Sequence, residues 1–199
     1  MSPAPPARAD VFINCPFDAD FEPLFIALIA GLVGLGRTPR CVLEINEGLY
    51  RLDRIHALMR SCAASVHDLS RANSRPTRFN MPFEMGIAYA LSRTQRHSFF
   101  IFEQRPYRLQ ITLSDVNGID PHIHEGRPTR VLHSVLNCFA GSGAPSFAAL
   151  DRLRLDLVRG VRRHKRDAGA ATILSRQLFR QSVATATSLA VEHGLLRAR

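Results

Sequence analysis

Residues 63–102 read AASVHDLSRANSRPTRFNMPFEMGIAYALSRTQRHSFFIF. This stretch decides the fold. Ala63 to Leu69 is a short, mostly apolar run that stops at turn-forming residues, as a buried strand does. Pro82 to Leu91 reads as a helix, with Pro82 suited to its first turn. Ser98-Phe99-Phe100-Ile101-Phe102 is strongly apolar and reads as the next strand. Strand, helix and strand in succession imply a parallel pair joined by a crossover.

The same alternation extends in both directions. Upstream, Val11-Phe12-Ile13 suits a buried strand, and Asp20 to Leu35 places Leu24, Phe25, Leu28, Ile29 and Leu32 at helical spacing. Cys41 to Ile45 predicts a second strand, and Arg51 to Arg60 a helix with Leu52, Ile55, Leu58 and Met59 on one face. Downstream, Ile111 to Val116 predicts a short fifth strand and Arg130 to Phe139 a helix. The chain is therefore expected to be an α/β protein, a flavodoxin-like (Rossmannoid) parallel sheet of about five strands with helices on both faces. Gly141 to Pro145 is a break. Beyond it, Ser146–Arg166 and Ala171–Leu196 read as two further helices, the second with an apolar stripe through Leu174, Leu178, Phe179, Val183, Leu189 and Val191. The expected division is a loose tail over 1–9, an α/β domain over 10–142 and a basic helical extension over 143–199.

Composition bounds the remaining classes. With 199 residues, 46% hydrophobic and 22% charged, the chain is ordinary globular material. No run reaches the ~18 apolar residues of a membrane-spanning helix, and MSPAPPARAD lacks the apolar core of a secretory signal. Cys15, Cys41, Cys62 and Cys138 form no CxxC pair, which argues against a zinc ribbon and fits a reducing cytoplasm. The net charge of +9 is uneven: residues 1–150 carry 15 Arg against 13 Asp and Glu, residues 151–199 carry 11 Lys and Arg against 4. The run Arg159, Arg162, Arg163, Lys165, Arg166 suits a solvated face, a subunit contact or a nucleic-acid surface.

Several familiar motifs are absent. There is no GxxxxGK[ST] and no GxSxG. Gly31, Gly34 and Gly36 follow a helix instead of opening one, so they read as its terminator and not as a dinucleotide fingerprint. Cys15 reads as a buried thiol. His122 and His124 lack a second ligand pair, and no metal is called for. A phosphoreceiver reading of Asp68 fails because the one lysine is Lys165.

Open parallel sheets bind ligands beyond the carboxyl ends of their strands. Strand one delivers Asn14, Pro16, Phe17 and Asp18 there, strand two Glu44 followed by Asn46 and Glu47, and strand three Asp68, Ser70 and Arg71. Asn80 and Met81 lead into the next helix, which carries Glu84 and Gly86 near its start. Amides, hydroxyls and carboxylates at one rim suit a sugar. A carboxylate facing C1′ can stabilise an oxocarbenium-like transition state or attack it. The plain readings are a dipole-stabilising Glu84 and turn chemistry for Asp68 and Ser70.

Asp68-Leu69-Ser70 and then Phe83-Glu84-Met85-Gly86-Ile87-Ala88 resemble the nucleoside 2-deoxyribosyltransferases and the related TIR-like domains. Phe12 to Asp18 and Arg78 to Gly86 also resemble bacterial TIR-like proteins, some linked to phage defence. The similarity covers about residues 10–125. It implies a glycosidic-bond enzyme in which Glu84 is catalytic and Asn14, Asp68 and Ser70 hold the ribose, with NAD the leading substrate and no cofactor or metal. It also implies a homo-oligomer. The strand-one loop departs from the deoxyribosyltransferase pattern, and the C-terminal basic helices have no counterpart in the minimal enzyme. Two other readings stand beside it: a non-catalytic nucleotide-sensing or oligomerising module, and a nucleic-acid or protein partner bound through residues 151–199.

Overall fold

A computed structural model of the chain describes residues 7–45, 48, 50–72, 78–116 and 118–197. Strands β1 (Ala7–Asn14), β2 (Thr38–Cys41), β3 (Cys62–Asp68), β4 (Ser98–Glu103) and β5 (His122–Ile123) form one sheet in the order β2-β1-β3-β4-β5. The ladders from β1 through β3 and β4 to β5 are parallel. This is the flavodoxin-like order, so the α/β class read from the sequence is correct. The α-helices among the described residues are α1 (Glu22–Gly34), α2 (Arg51–Ser61), α3 (Asn80–Thr94), α4 (Arg108–Thr112), α5 (Pro128–Phe139), α6 (Phe147–Asp167) and α7 (Arg176–Glu192).

The chain gathers into two compact units. The first comprises the described residues of Met1–Pro16 and Arg40–Glu125, the second Phe17–Pro39 and Gly126–Arg199. The composition break at 142/143 therefore falls inside the second unit, because α1 and α5 group with the C-terminal helices. β1 likewise starts at Ala7, inside the segment read as a tail.

The first unit is built on the sheet. Val11, Phe12, Ile13, Val66, Ile101 and Phe102 are buried in consecutive or alternating positions, as central parallel strands require. Leu69, Met81, Met85, Ile101 and Leu109 form a cluster that ties α3 and α4 to β4. Burial of these apolar chains is what positions the start of α3 beside the ends of the strands.

The second unit is helical. Every residue of α1 from Leu24 to Gly34 is buried, which marks a helix that is apolar all round. It packs against α5, α6 and α7. A Cβ at Gly31 would stand 3.0 Å from Val135 Cγ1, and one at Gly34 would overlap Leu150 Cδ2. These two glycines are contact points between helices, not the helix terminator expected above; only Gly36, at φ 70°, sits in the left-handed region beyond the helix end. Glu22 at the start of α1 accepts Lys165 Nζ at 2.6 Å and the Ile173 amide at 2.9 Å, closing α6 and the α6–α7 loop onto α1.

Two strands differ from expectation. The second covers Thr38–Cys41, and Val42–Glu44 turns into a 3-10 segment. Glu44 draws the chain round by accepting Arg40 Nε at 2.9 Å and the Cys41 amide at 3.1 Å. Ile111 to Val116 is not a strand. It completes α4 and a 3-10 turn over Ser114–Val116, and Leu109, Leu113 and Val116 follow helical spacing into the cluster around Met85. The fifth strand is His122–Ile123, in register with Phe102 and Glu103.

Candidate functional site

Asn14 ends β1 and pairs in register with His67 of β3. Its amide Nδ2 donates to the Met81 carbonyl at 3.0 Å and to His67 Nδ1 at 3.1 Å. One side chain thus links two strands to the first turn of α3. A continuous buried relay stands behind it. His67 Nε2 lies 2.8 Å from Ser65 Oγ, Ser65 Oγ lies 2.9 Å from His97 Nε2, and His97 Nδ1 lies 3.1 Å from the Cys62 carbonyl. A carbonyl only accepts, so His97 carries its proton on Nδ1. The Ser65 hydroxyl then donates to His97 and accepts from His67 Nε2–H, which leaves His67 Nδ1 to accept from Asn14. Every group is satisfied with both rings neutral. Burial and the neighbouring ring push His67 down to about 3, and burial lowers His97 as well.

Glu84 lies on α3, one turn past Asn80. It is 5% exposed, and its Oε2 has no hydrogen-bond partner among the described residues. Desolvation raises its acid to about 7, against the opposing pull of the Asn80 hydrogen bond and the Arg51 charge. The side chain turns inward, not to bulk solvent.

Asp68 and Ser70 are also interior. Asp68 Oδ1 accepts the Ser70 amide at 3.0 Å, an Asx turn at the end of β3. His124 Nε2 stands 3.0 Å from Ser70 Oγ and 3.0 Å from Asp68 Oδ2. Since Nε2 carries at most one proton, it cannot serve both oxygens fully, and Asp68 Oδ2 is left without a well-directed hydrogen bond. Next to them, burial raises Glu103 at the end of β4, with Asp68 adding to the rise and Arg108 opposing it. Arg108 sits 3.4 Å from Glu103 and donates to the Leu69 carbonyl at 2.9 Å. Thus the ends of β3, β4 and β5 hold a cluster of two carboxyls, an imidazole, a hydroxyl and a guanidinium.

The other expected residues divide. Met81 contributes its carbonyl to Asn14 and its side chain to the apolar cluster. Asn80 is inside α3 and bonds Glu84. Pro16 is buried and Arg71 partly so. At Gly86 a Cβ would meet nothing within 4 Å among the described residues, so no protein neighbour requires glycine there. Glu44 is spent on Arg40, which also pairs with Asp10 at 2.8 Å. Asn46 and Glu47 lie outside the described residues. Phe17 and Asp18 belong to the second unit: Phe17 meets Phe25 edge-on at 5.6 Å, and Asp18 Oδ1 accepts the Phe21 amide at 3.0 Å.

Sequence reasoning missed Glu103 and Arg108 and gave His67, Ser65 and His97 no part. Glu103 was findable, since it directly follows the apolar run that ends at Phe102. For His124 the sequence favours a polar or hydrogen-bonding role over a metal ligand, without naming Ser70 or Asp68 as its partners. Among the described residues no cluster of three or more His, Cys, Asp or Glu is arranged to hold a metal. His122, beside it, instead packs against Phe102 at 5.4 Å between ring centres. Cys15 is a buried thiol, and none of the four cysteines is in a disulfide. Of the basic run, Lys165 is held by Glu22 and Arg159 by Asp156. No described helix is long and apolar enough to cross a membrane.

Fold and site together define a flavodoxin-like α/β protein with buried acids at the carboxyl edge of its sheet. No protein-family model, curated protein or solved structure matches the chain.

Proposed function

We propose that the protein is an N-glycosidase-type enzyme acting at the ribosyl C1′ of a nucleotide or nucleoside, with NAD the first substrate to try. The observation that carries this reading is Glu84: a buried carboxyl, one oxygen unpartnered, titrating near neutrality in the first half of α3. In the reaction the C1′–N bond breaks and its electron pair leaves with the base. Positive charge develops at C1′. An adjacent cation favours the ionised form of a buried acid, so the Glu84 carboxylate, its proton already released to solvent, gains stabilisation as positive charge develops beside it in the transition state. Stabilisation realised only there raises kcat. Water or another nucleophile then takes the ribosyl cation, either directly or after capture by Glu84.

Asn14 acts in this reading by holding α3 through Met81, and Asp68 and Ser70 shape the rim next to it. Four cysteines held as thiols suit a reducing, cytoplasmic setting, and we place the enzyme there as a homo-oligomer, in phage defence. Incubation with NAD and with nucleosides, followed by chromatography of the released base, is the test. Glu84→Gln is expected to lower release at least about a hundredfold, within the range of a lost electrostatic or acid–base group. Undiminished turnover removes Glu84 from the mechanism.

A second reading has its own support. Asn14, Asp68 and Ser70 spend polar atoms on one another and on neighbours. A module that senses a nucleotide without turnover would do the same. It predicts a melting temperature that rises with ligand and no product.

A further inference from the structure

Three helices of the first unit begin with an exposed aromatic residue. Tyr50, Phe79 and Tyr107 occupy the N-cap positions of α2, α3 and α4, and among the described residues none makes a side-chain capping hydrogen bond. They are 74%, 77% and 76% exposed. In the second unit α6 and α7 begin with Ser146 and Ser175, whose hydroxyls accept from Ala149 and Leu178 as a cap should. Phe21, at the start of α1, is aromatic too, but its ring is buried and packing accounts for it. Among the described residues nothing buries the other three.

Topology puts the three rings on one edge. Each lies in the connection that follows a strand of the parallel sheet, and such connections all leave from the carboxyl edge. Phe83, one turn further along α3 and 56% exposed, adds a fourth. β2 and β4 are three strand spacings apart in the sheet, roughly 14 Å at ~4.8 Å each. One planar base covers one ring, so rings spread over that span fit a ligand with several bases.

Charge selects the ligand further. Residues 48–116 contain ten arginines and five acidic residues. Arg60, Arg93 and Arg96 stand at the C-terminal ends of α2 and α3, on the opposite edge. Three of the five acids, Asp68, Glu84 and Glu103, are buried, so seven arginines remain against two exposed acids, Asp53 and Asp115. Arginine is next in sequence to every one of the aromatic caps (Arg51, Arg78, Arg108), and Arg51 and Arg105 are exposed. A second copy of this positive edge would be repelled by it; a polyanion would not. Aromatic platforms interleaved with guanidinium groups are how single strands are held without regard to sequence.

We propose that this edge, through Tyr50, Phe79, Phe83 and Tyr107 with Arg51 and Arg105, binds single-stranded polynucleotide. The bases stack on the rings and the phosphates meet the arginines. The proposal extends the reading of Glu84 as a glycosidic-bond catalyst, since stacked bases would lie on the edge that carries it, but the binding stands without turnover.

The test is fluorescence anisotropy of a labelled 20-nucleotide oligothymidylate, and of a duplex of equal length, with the full chain over a range of salt. The single strand is expected to bind more tightly than the duplex and to weaken as salt rises. The triple variant Tyr50→Asn, Phe79→Ser, Tyr107→Asn removes three rings while supplying residues that suit turns and caps. Its melting temperature should match or exceed the parent's while its affinity falls about tenfold or more. Absence of binding by the parent at low salt overturns the proposal, as does an unchanged affinity in the triple variant. So does loss of binding on Arg162→Glu with Arg163→Glu while the rim variant still binds, which would move the surface to α6. A shift of oligomeric state in the triple variant with affinity intact assigns the rings to a second copy. Base release is scored separately: a parent that binds the strand and frees no base loses the glycosidase reading and keeps this one.

Discussion

Glu84 and Glu22 are both largely buried carboxyls, and they differ in how they are satisfied. Glu22 accepts an ammonium and an amide, which is the structural use of a carboxylate. Lys165→Met is therefore expected to cost about 1–3 kcal/mol, the penalty for stripping a partner from a half-buried ion pair, read as a drop in the denaturant midpoint. Glu84 keeps an oxygen without a partner among the described residues, and burial pushes its acid up to about 7, the feature on which the proposed function rests. The type and position of Glu84 were legible in the sequence from its place early in a helix after strand three. Its inward orientation was not, because that follows from Met81 and Met85 entering the apolar cluster and fixing the helix rotation. Asn14 was legible as a strand-end amide, while its partner His67 read as one more residue of an apolar strand. Only the register of β1 on β3 reveals the pair.

At the scale of elements, the glycines of α1 and α3 make opposite predictions. Gly34 faces Leu150 with no room for a methyl, so Gly34→Ala is expected to destabilise by about 1–3 kcal/mol through overpacking. Gly86 sits within α3 with open space about its Cα, so Gly86→Ala is expected to stabilise by up to ~1 kcal/mol by reducing the freedom of the unfolded chain. Urea titration of both variants against the parent checks the signs. Helix and strand type was legible wherever the apolar period was long, as in α1 and α7. It failed at Ile111 to Val116, where a six-residue window excluded Leu109, the residue that reveals the helical period. It failed again at residues 41–45, where Glu44, by bonding back to Arg40 and Cys41, ends the strand early.

For the whole molecule, burial raises the acids Glu84 and Glu103 and lowers the imidazoles His67, His97 and His122, which gives stability pH linkages of opposite sign. Glu84 and His67 illustrate the two. Glu84 has a folded value near 7, above that of a free carboxyl. The folded state holds the extra proton, and stability falls as pH rises from about 4.5 to 7. His67 is depressed to about 3. The unfolded state binds the extra proton, and stability falls as pH drops below about 6.5. Each slope is ~1.4 kcal/mol per pH unit, so the two offset each other in the parent between about pH 4.5 and 6.5. Glu84→Gln removes one of them. Its stability is expected to climb with pH across that window, and by pH 8 to exceed the parent's by up to ~3 kcal/mol relative to the difference at pH 4. Thermal melts of both proteins at matched pH values measure this. An E84Q variant whose profile runs parallel to the parent's at every pH means that Glu84 is not held protonated by burial.

The sequence by itself determined the α/β class, the order of its main elements and part of the polar lining of the sheet's carboxyl edge, Asn14, Asp68, Ser70 and Glu84 among it. Those follow from local apolar period and turn chemistry, which are written in neighbouring residues. The tertiary structure alone decided which of those polar groups are satisfied within the protein, where the acidic charge is hidden, and which rings remain outside. Those outcomes depend on strand register and helix rotation, and residues such as Asn14 and Met81 or Ser70 and His124 meet only after more than fifty intervening residues have folded between them.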